Sequence, residues 1–502
     1  MPSALEKLTD RLGRIADLNS SAAVLEWDQE TYMPEGAAEA RAFQLATLRE
    51  FAHELLMADE TAALIEAAED ETTDDESFSQ PLLRVARRDY ERSTRIPAPL
   101  IANIAAVSAR AKEAWKHARA QDDFAVFAPH LDRILELTLE KAEAVGYDDH
   151  PYDALLDEFE PDMRTAEVQR VFHALRGDLV PIVEAIRQSG QVDDSFLHQH
   201  YDRDLQWQFG MDVIRELGYD FRHGRQDYSA HPFSTAFAIS DVRITTRINE
   251  RYFPTGFFGT LHEMGHALYE QGIDRRFERT PLADGTSLST HESQSRLWEN
   301  QIGRSRAFWT RYFPKLKEKF PGALAGVDLD AFYRGVNRVE PSLIRVEADE
   351  VTYSLHIMLR FEIETELVTG RMRVQDIPEA WNDRMEDYLG IRPPSQADGA
   401  LQDIHWSLAA IGYFPTYALG TLISSQMFDA AERDLGDIDA QVERGEYEPL
   451  RDWLRNQVHR WGRARSTSEI LQQTTGGGLD ATPWLTYIRR KYGDIYSEVT
   501  QA

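Results

Sequence analysis

Cysteine is absent from all 502 residues. That excludes disulfides, thiolate metal sites, iron–sulfur clusters and cysteine nucleophiles, so any transition metal must be held by His, Asp or Glu. Lysine is scarce. It occurs at Lys7, Lys112, Lys116, Lys141, Lys315, Lys317, Lys319 and Lys491, and arginine supplies the rest of the positive charge. With a formal net charge of −30, the chain lacks the basic surface that binding a phosphate backbone requires, which argues against nucleic acid as a partner. An acidic, lysine-poor surface keeps a chain soluble and also suits high salt, where self-repulsion is screened. Long hydrophobic runs are missing too: no stretch approaches the roughly 18 apolar residues of a membrane span. Residues 1–37 place Leu5, Leu8, Leu12, Ile15 and Leu18 at helical spacing among charges, an amphipathic helix and not a signal peptide. The expectation is a soluble, cytoplasmic protein with no membrane partner.

Most of the chain has a helical rhythm. Segments 38–57, 100–121, 131–146, 165–187 and 342–368 repeat apolar residues at intervals of three and four. An acidic loop is expected over 69–76, and Pro97 with Pro99 marks a further turn. There is no fixed-period repeat, long linker or clean domain boundary. One region departs from the rhythm. Residues 231–253 carry Phe233, Phe237, Ile239, Val242, Ile244, Thr245 and Thr246, with Ser240-Asp241 as a turn, and read as a small β-hairpin. Its edge could pair with an extended peptide, or the hairpin could serve packing alone.

Directly after it comes His262-Glu263-Met264-Gly265-His266, an HExxH pattern. On a helix, residues four apart share a face, so both imidazoles can meet one ion while Glu263 acts as general base. Two neutral imidazoles and a carboxylate suit zinc. Chance would produce the pattern about once in 25 such chains, so a third ligand matters. Ser289-Thr290-His291-Glu292-Ser293-Gln294 offers one, with Ser289 or Thr290 capping a new helix. Glu292 is the natural carboxylate and His291 its competitor. The spacing does not decide between them.

Other constellations admit two readings. His231-Pro232-Phe233 and Asp241-Val242-Arg243-Ile244-Thr245 could be functional or structural. Arg345, in Ile344-Arg345-Val346-Glu347-Ala348-Asp349, could fork onto a substrate carboxylate or pair within its own helix. In 399–417, Asp403, His405, Trp406 and Tyr417 gather polar groups. His405 and Tyr417 could donate to the oxyanion of a tetrahedral intermediate, or belong to a satisfied core. His459 and Arg463 lie at one-face helical spacing, where a solvated charge cluster is the plain alternative. Gly476-Gly477-Gly478 lacks the partners of a phosphate loop and reads as a helix-ending turn.

Taken in order, these motifs resemble the Taq-type metallocarboxypeptidases (the thermostable carboxypeptidase 1 family). The match runs from Leu25-Glu26-Trp27-Asp28 and Met33-Pro34, through the hairpin motifs, HExxH and His291-Glu292-Ser293-Gln294, to Ile344-Arg345 with Ala348-Asp349. It continues over Gly399 and Gln402-Asp403 to His405-Trp406. The resemblance implies a mainly α fold: a large helical body with a deep active-site groove, a small β-sheet beside the metal, and a single domain over 1–502. It implies His262, His266 and Glu292 as ligands of Zn2+, which Co2+ can replace, and Glu263 as catalytic base. It places His459 and Arg463 at the closed end of the groove and makes Arg345 the recogniser of a peptide's terminal carboxylate, with Arg463 competing. The implied enzyme is a homodimeric carboxypeptidase of broad specificity. A helical zinc oligopeptidase cutting internally is the alternative.

Overall fold

The computed structural model describes residues 2–71 and 78–501. It is mainly helical with one three-stranded sheet, as expected. The chain divides into two compact units. One comprises Met1–Thr94, Asp193–Val336 and Met427–Gly478; the other comprises Arg95–Val192, Asn337–Gln426 and Leu479–Ala502.

In the first unit, the helix Ala4–Thr31 starts at a capping box, with Glu6 N donating to Ser3 Oγ and Ser3 N to Glu6 Oε2. Leu8 and Leu12 go into a core with Ile65, Ala68, Leu82, Val85, Phe277 and Leu282, as the spacing predicts. The helix's far end meets the sheet. The Arg243 guanidinium pairs with Asp241 at 2.9 and 2.8 Å and sits 4.5 Å from the Trp27 ring and 4.9 Å from the Phe237 ring. Two of the sequence motifs are therefore joined by a cation–π contact. Of the expected acidic loop, residues 69–71 continue the helix Asp59–Glu71, and 72–76 lie outside the described residues. Gly476, at φ 80°, ends the helix Thr467–Thr475, as anticipated.

The hairpin forms as β2 (Ser234–Ala238) and β3 (Asp241–Thr246), antiparallel with Thr235 opposite Arg243. A third strand, β1 (Gln226–Tyr228), was not expected; it lies parallel to β3, which becomes the central strand. Three residues are too few to show an alternation. β3 is pinned to the helix Phe253–Gly272, where Thr260 Oγ1 bonds Thr246 Oγ1 at 3.0 Å.

In the second unit, Asp122 ends the helix Ala98–Gln121 in a left-handed conformation and Asp123 caps Phe124–Val145. That helix starts seven residues before the expected 131 and tolerates Pro129 near its N-terminus. The single helix expected over 342–368 is not formed. Arg345–Glu347 is one 3-10 turn, and the helix begins at Tyr353 and runs to Val368. Asp349 is the cause, because its carboxylate accepts from Val351 N, Thr352 N and Thr352 Oγ1 at 2.9–3.0 Å and holds a turn instead.

This turn segment is tied to the helix Thr482–Ile495 by a buried ion pair. Lys491 Nζ lies 2.7 Å from Glu350 Oε2, with side chains 5% and 2% exposed, and Tyr492 Oη adds a bond at 3.0 Å. Lys491→Met leaves the Glu350 charge buried without a counter-charge. It is expected to cost about 3–5 kcal/mol, read as a lower urea midpoint. Adding Glu350→Gln should recover most of the loss; no recovery would show that the pairing is not what the loss reflects.

Candidate metal centre

The helix Phe253–Gly272 starts with Pro254 in its first turn and buries Phe257, Phe258, Leu261, Met264 and Leu268. His262 and His266 project from one face, their ring centres 4.9 Å apart. Glu292 comes from the helix Leu288–Arg296, whose N-cap is Ser287, ahead of the expected Ser289 or Thr290. Glu292 therefore sits in the second turn. Gly265 permits the approach: a Cβ there would lie 2.6 Å from Gln294 O and Ser295 Cα.

Glu292 Oε2 stands 3.5 Å from His262 Nε2 and 3.4 Å from His266 Nε2, and the three atoms lie within 4.8 Å of one another. Two ligand atoms on bonds of about 2.1 Å at a tetrahedral angle are about 3.4 Å apart, so the residues fit one zinc-like ion. Among the described residues this is the one such His/Asp/Glu group.

Every ligand candidate is held from behind. The helix continues past Arg296 as a π-turn, Leu297–Ile302, which carries Glu299. Glu299 Oε2 binds His262 Nδ1 at 2.9 Å. Arg296 clamps both carboxylates, Nε to Glu292 Oε1 at 2.7 Å and Nη1 to Glu299 Oε2 at 3.2 Å. Burial would raise the carboxyl of Glu292, but Arg296 and the imidazoles hold it far below its ordinary value.

His291 is drawn away from the ligand atoms. Its Nδ1 lies 2.6 Å from His266 Nδ1 and its Nε2 is 2.6 Å from Glu270 Oε1. One proton fits between the two Nδ1 atoms. When His266 offers Nε2 as ligand, that proton sits on His266 Nδ1, His291 accepts it, and Nε2–H of His291 donates to Glu270. Burial and the neighbouring imidazoles press His266 down to about 3. Against burial, Glu292 and Glu299 raise His262 to about 9. An entering cation thus displaces a proton from His262. Glu263, 7% exposed, is pushed up to about 7 by burial, with Glu292 and Glu299 adding to it; a bound cation draws it back down.

A second cluster forms within the other unit and unites four residues singled out in the sequence, Arg345, Asp403, His405 and Tyr417. Arg345 donates Nε and Nη2 to Asp403 Oδ1 (3.1 and 2.8 Å) and Nη1 to Tyr353 Oη (3.1 Å). Its guanidinium lies 5.1 Å from the Tyr417 ring, and Tyr417 Oη is 3.5 Å from His405 Nε2. Arg360 takes the other Asp403 oxygen at 2.7 Å and Gln402 Oε1 at 2.8 Å. Arg345 therefore makes no ion pair within its own helix. Burial, Arg345 and Arg360 hold His405 neutral, down to about 4 although Asp403 pulls upward.

His459 and Arg463, in the first unit, do not share a helical face, because Gly462 (φ 45°, ψ −133°) breaks the 3-10 segment His459–Ala464. His459 is buried, and Arg463 is partly exposed but paired. His459 is 1% exposed and bonds Gln294 Oε1 at 2.8 Å, while Arg463 forks onto Asp89 at 2.9 and 2.7 Å. Sequence reasoning missed Arg296, Glu299 and Glu270. Two spacings could have found them: Glu292, Arg296 and Glu299 at i, i+4 and i+7, and Glu270 four residues beyond His266 on the same face.

A family model described as carboxypeptidase Taq (M32) metallopeptidase matches residues 7–492. The chain is 41% identical over 506 residues to thermostable carboxypeptidase 1 of Thermus thermophilus, covering 98% of this chain and 99% of that protein. It is 38% identical to carboxypeptidase 1 of Bacillus subtilis, covering 97% of both. Among solved structures, the crystal structure of an M32 carboxypeptidase from Deinococcus radiodurans R1 matches with a TM-score of 0.97 at 41% identity, over 98% of this chain and 99% of that one.

The Gly265 contact has a measurable effect. Gly265→Ala is expected to weaken metal binding by about tenfold or more in chelator competition. Gly259→Ala, on the same helix with open space around it, is the unaffected control. Equal affinities would show that the helix separation does not govern the site.

Proposed function

The chain belongs to the carboxypeptidase Taq (M32) metallopeptidases, and from that membership we propose a zinc-dependent enzyme of broad specificity that releases single residues from peptide C-termini. It is a metallocarboxypeptidase by family; zinc, the breadth of specificity and the residue roles are our reading.

One observation carries the exopeptidase half. Two buried guanidiniums, Arg345 and Arg360, share the single carboxylate of Asp403, and His405 beside them is neutral. Two guanidiniums meet on one directly bound carboxylate, and such forked donors suit a peptide's terminal carboxylate. We assign that recognition to Arg345. For the metal, His262, His266 and Glu292 would hold the ion, and imidazole–carboxylate donors without thiolate favour zinc, with cobalt able to replace it. When bound, the ion supplies Lewis acidity at the scissile carbonyl.

This chain's own residues do the rest. Glu263 takes a proton from the attacking water and delivers it to the departing amine. His405 and Tyr417 donate hydrogen bonds to the developing oxyanion. His459 and Arg463 act at second hand, since their polar atoms are engaged by Gln294 and Asp89; we assign them to limiting how far a peptide enters. Among the described residues no helix is long and apolar enough to cross a membrane. We propose a cytoplasmic homodimer, one catalytic domain per chain, acting on peptides.

The metal-loaded protein, given an N-blocked peptide of mixed sequence, should produce a chelator-sensitive ladder losing one residue at a time from the C-terminus. Internal fragments would replace this reading with an oligopeptidase. Glu263→Gln should keep its metal while activity falls by about 10²–10⁴-fold; near-normal turnover would remove Glu263 from its role.

A further inference from the structure

The helix Tyr353–Val368 is buried along almost its whole length, yet it carries two charged side chains one turn apart, Arg360 and Glu364, both 0% exposed. They grip the same stretch of chain at different points. Arg360 holds Gln402 and Asp403. Glu364 holds Trp406, whose indole Nε1 donates to Oε1 at 2.8 Å, and Gly412, whose N donates to Oε2 at 3.1 Å. Tyr152 Oη, from the helix Pro151–Leu156, donates to the same Oε2 at 2.6 Å.

His405 lies between the two grips, and little of its own holds it. Its Nδ1 is buried with no hydrogen-bond partner, the Asp403 carboxylate standing off at 3.9 Å, and its Nε2 reaches Tyr417 Oη only at 3.5 Å. Its orientation must be imposed by the backbone and by packing on Phe414, 4.5 Å away between ring centres. That backbone does not favour its own shape. Ala409 takes a left-handed φ of 57° without being glycine, and Gly412 sits at φ 98°. A Cβ at Gly412 would lie 2.8–3.0 Å from backbone atoms of Leu155 and Leu156. Such a loop keeps its form only when tertiary contacts over-determine it. The bonds from Trp406 and Gly412, on either side of Ala409, are contacts of that kind.

We propose that Glu364 is a positioning residue of the reaction: an acceptor that fixes the 405–417 segment and thereby aims His405 and Tyr417. This rests on reading the Arg345 cluster as part of the peptide site.

The choice of side chain follows from the donors. An indole N–H, a backbone N–H and a phenol O–H converge on two oxygens, and a carboxylate is the acceptor-only group that can serve all three. Glutamine would turn its NH2 on at least one of them. Protonating Glu364 also changes the set, since a new O–H on Oε2 makes Tyr152 Oη the acceptor and leaves a neutral group to accept from Trp406 and Gly412. Burial pushes this carboxyl up to about 7, against the hydrogen bonds of Tyr152, Gly412 and Trp406 and the charge of Arg360. The titratable and charged groups facing it are Tyr152 from the helix Pro151–Leu156 and Arg360 from its own helix; the 405–412 side presents Trp406 and the Gly412 amide.

The test uses the full-length, metal-loaded enzyme on an N-blocked dipeptide. Glu364→Gln should lower kcat by tenfold or more with KM changed less than threefold and metal affinity unchanged. Trp406→Phe in that background should regain part of the loss, because the misplaced amide then meets no indole; strict additivity would overturn the proposal. The unsubstituted enzyme gives an independent measure. Its Trp406 indole N–H resonance, assigned with Trp406→Phe, should be protected from solvent exchange by its bond to Glu364, and an indole that exchanges like a free one would overturn the proposal even if Glu364→Gln failed to fold. Arg345→Lys separates the two levels. An unchanged KM there refutes the peptide-site reading; a raised KM beside an unaffected Glu364→Gln refutes only the role of Glu364.

Discussion

The contact between Gly265 and the backbone of residues 294 and 295 decides how close two helices come, and the metal centre depends on that separation. One helix supplies two imidazoles, the other a carboxylate, and neither set is sufficient alone. A side chain at 265 would press on backbone, which cannot swing aside as a flexible side chain does. Close approach also brings Glu299 behind His262 and His291 behind His266, so one steric permission sets both the ligands and the groups that orient them.

Such closeness concentrates acid. Glu263, Glu270, Glu292 and Glu299 are all buried around two histidines. The first unit answers with Arg296, bridging two of the carboxylates, Arg304 near Glu299 and His291 against Glu270. A bound cation would complete the balance. The second unit has the opposite arrangement. There one carboxylate, Asp403, serves two arginines, and the buried Glu364 stands one turn from Arg360 on the same helix.

The pairing of His262 and His266 on one helix face was legible because HExxH depends on helical periodicity alone. Glu292 stands out in the sequence as the natural carboxylate, but spacing leaves its neighbour His291 open, because only the direction of their helix separates the two: Glu292 turns to the two imidazoles, His291 to Glu270. Arg296 and Glu299 escaped notice as ordinary charges on a helix, and the π-turn that carries Glu299 has no plain sequence mark. The helix over 342–368 was misplaced because apolar spacing continued through residues whose backbone is held by the Asp349 carboxylate, a local hydrogen-bond effect that periodicity does not register. His459 and Arg463 showed helical spacing, but Gly462 at φ 45° makes spacing a poor guide to which way they point. The core of the N-terminal helix and the two hairpin strands, by contrast, followed from period, although Asp241, expected in the turn, opens β3.

Lys491 is spent inside the second unit on Glu350, and no lysine occurs between 142 and 314, the stretch that contributes every candidate metal ligand. Reagents that attach through primary amines would therefore find their handles elsewhere, at Lys7, at Lys112, Lys116 and Lys141, and at Lys315, Lys317 and Lys319. Coupling the protein to an aldehyde- or ester-activated bead would tether it by those few points and leave the residues around the metal centre chemically untouched.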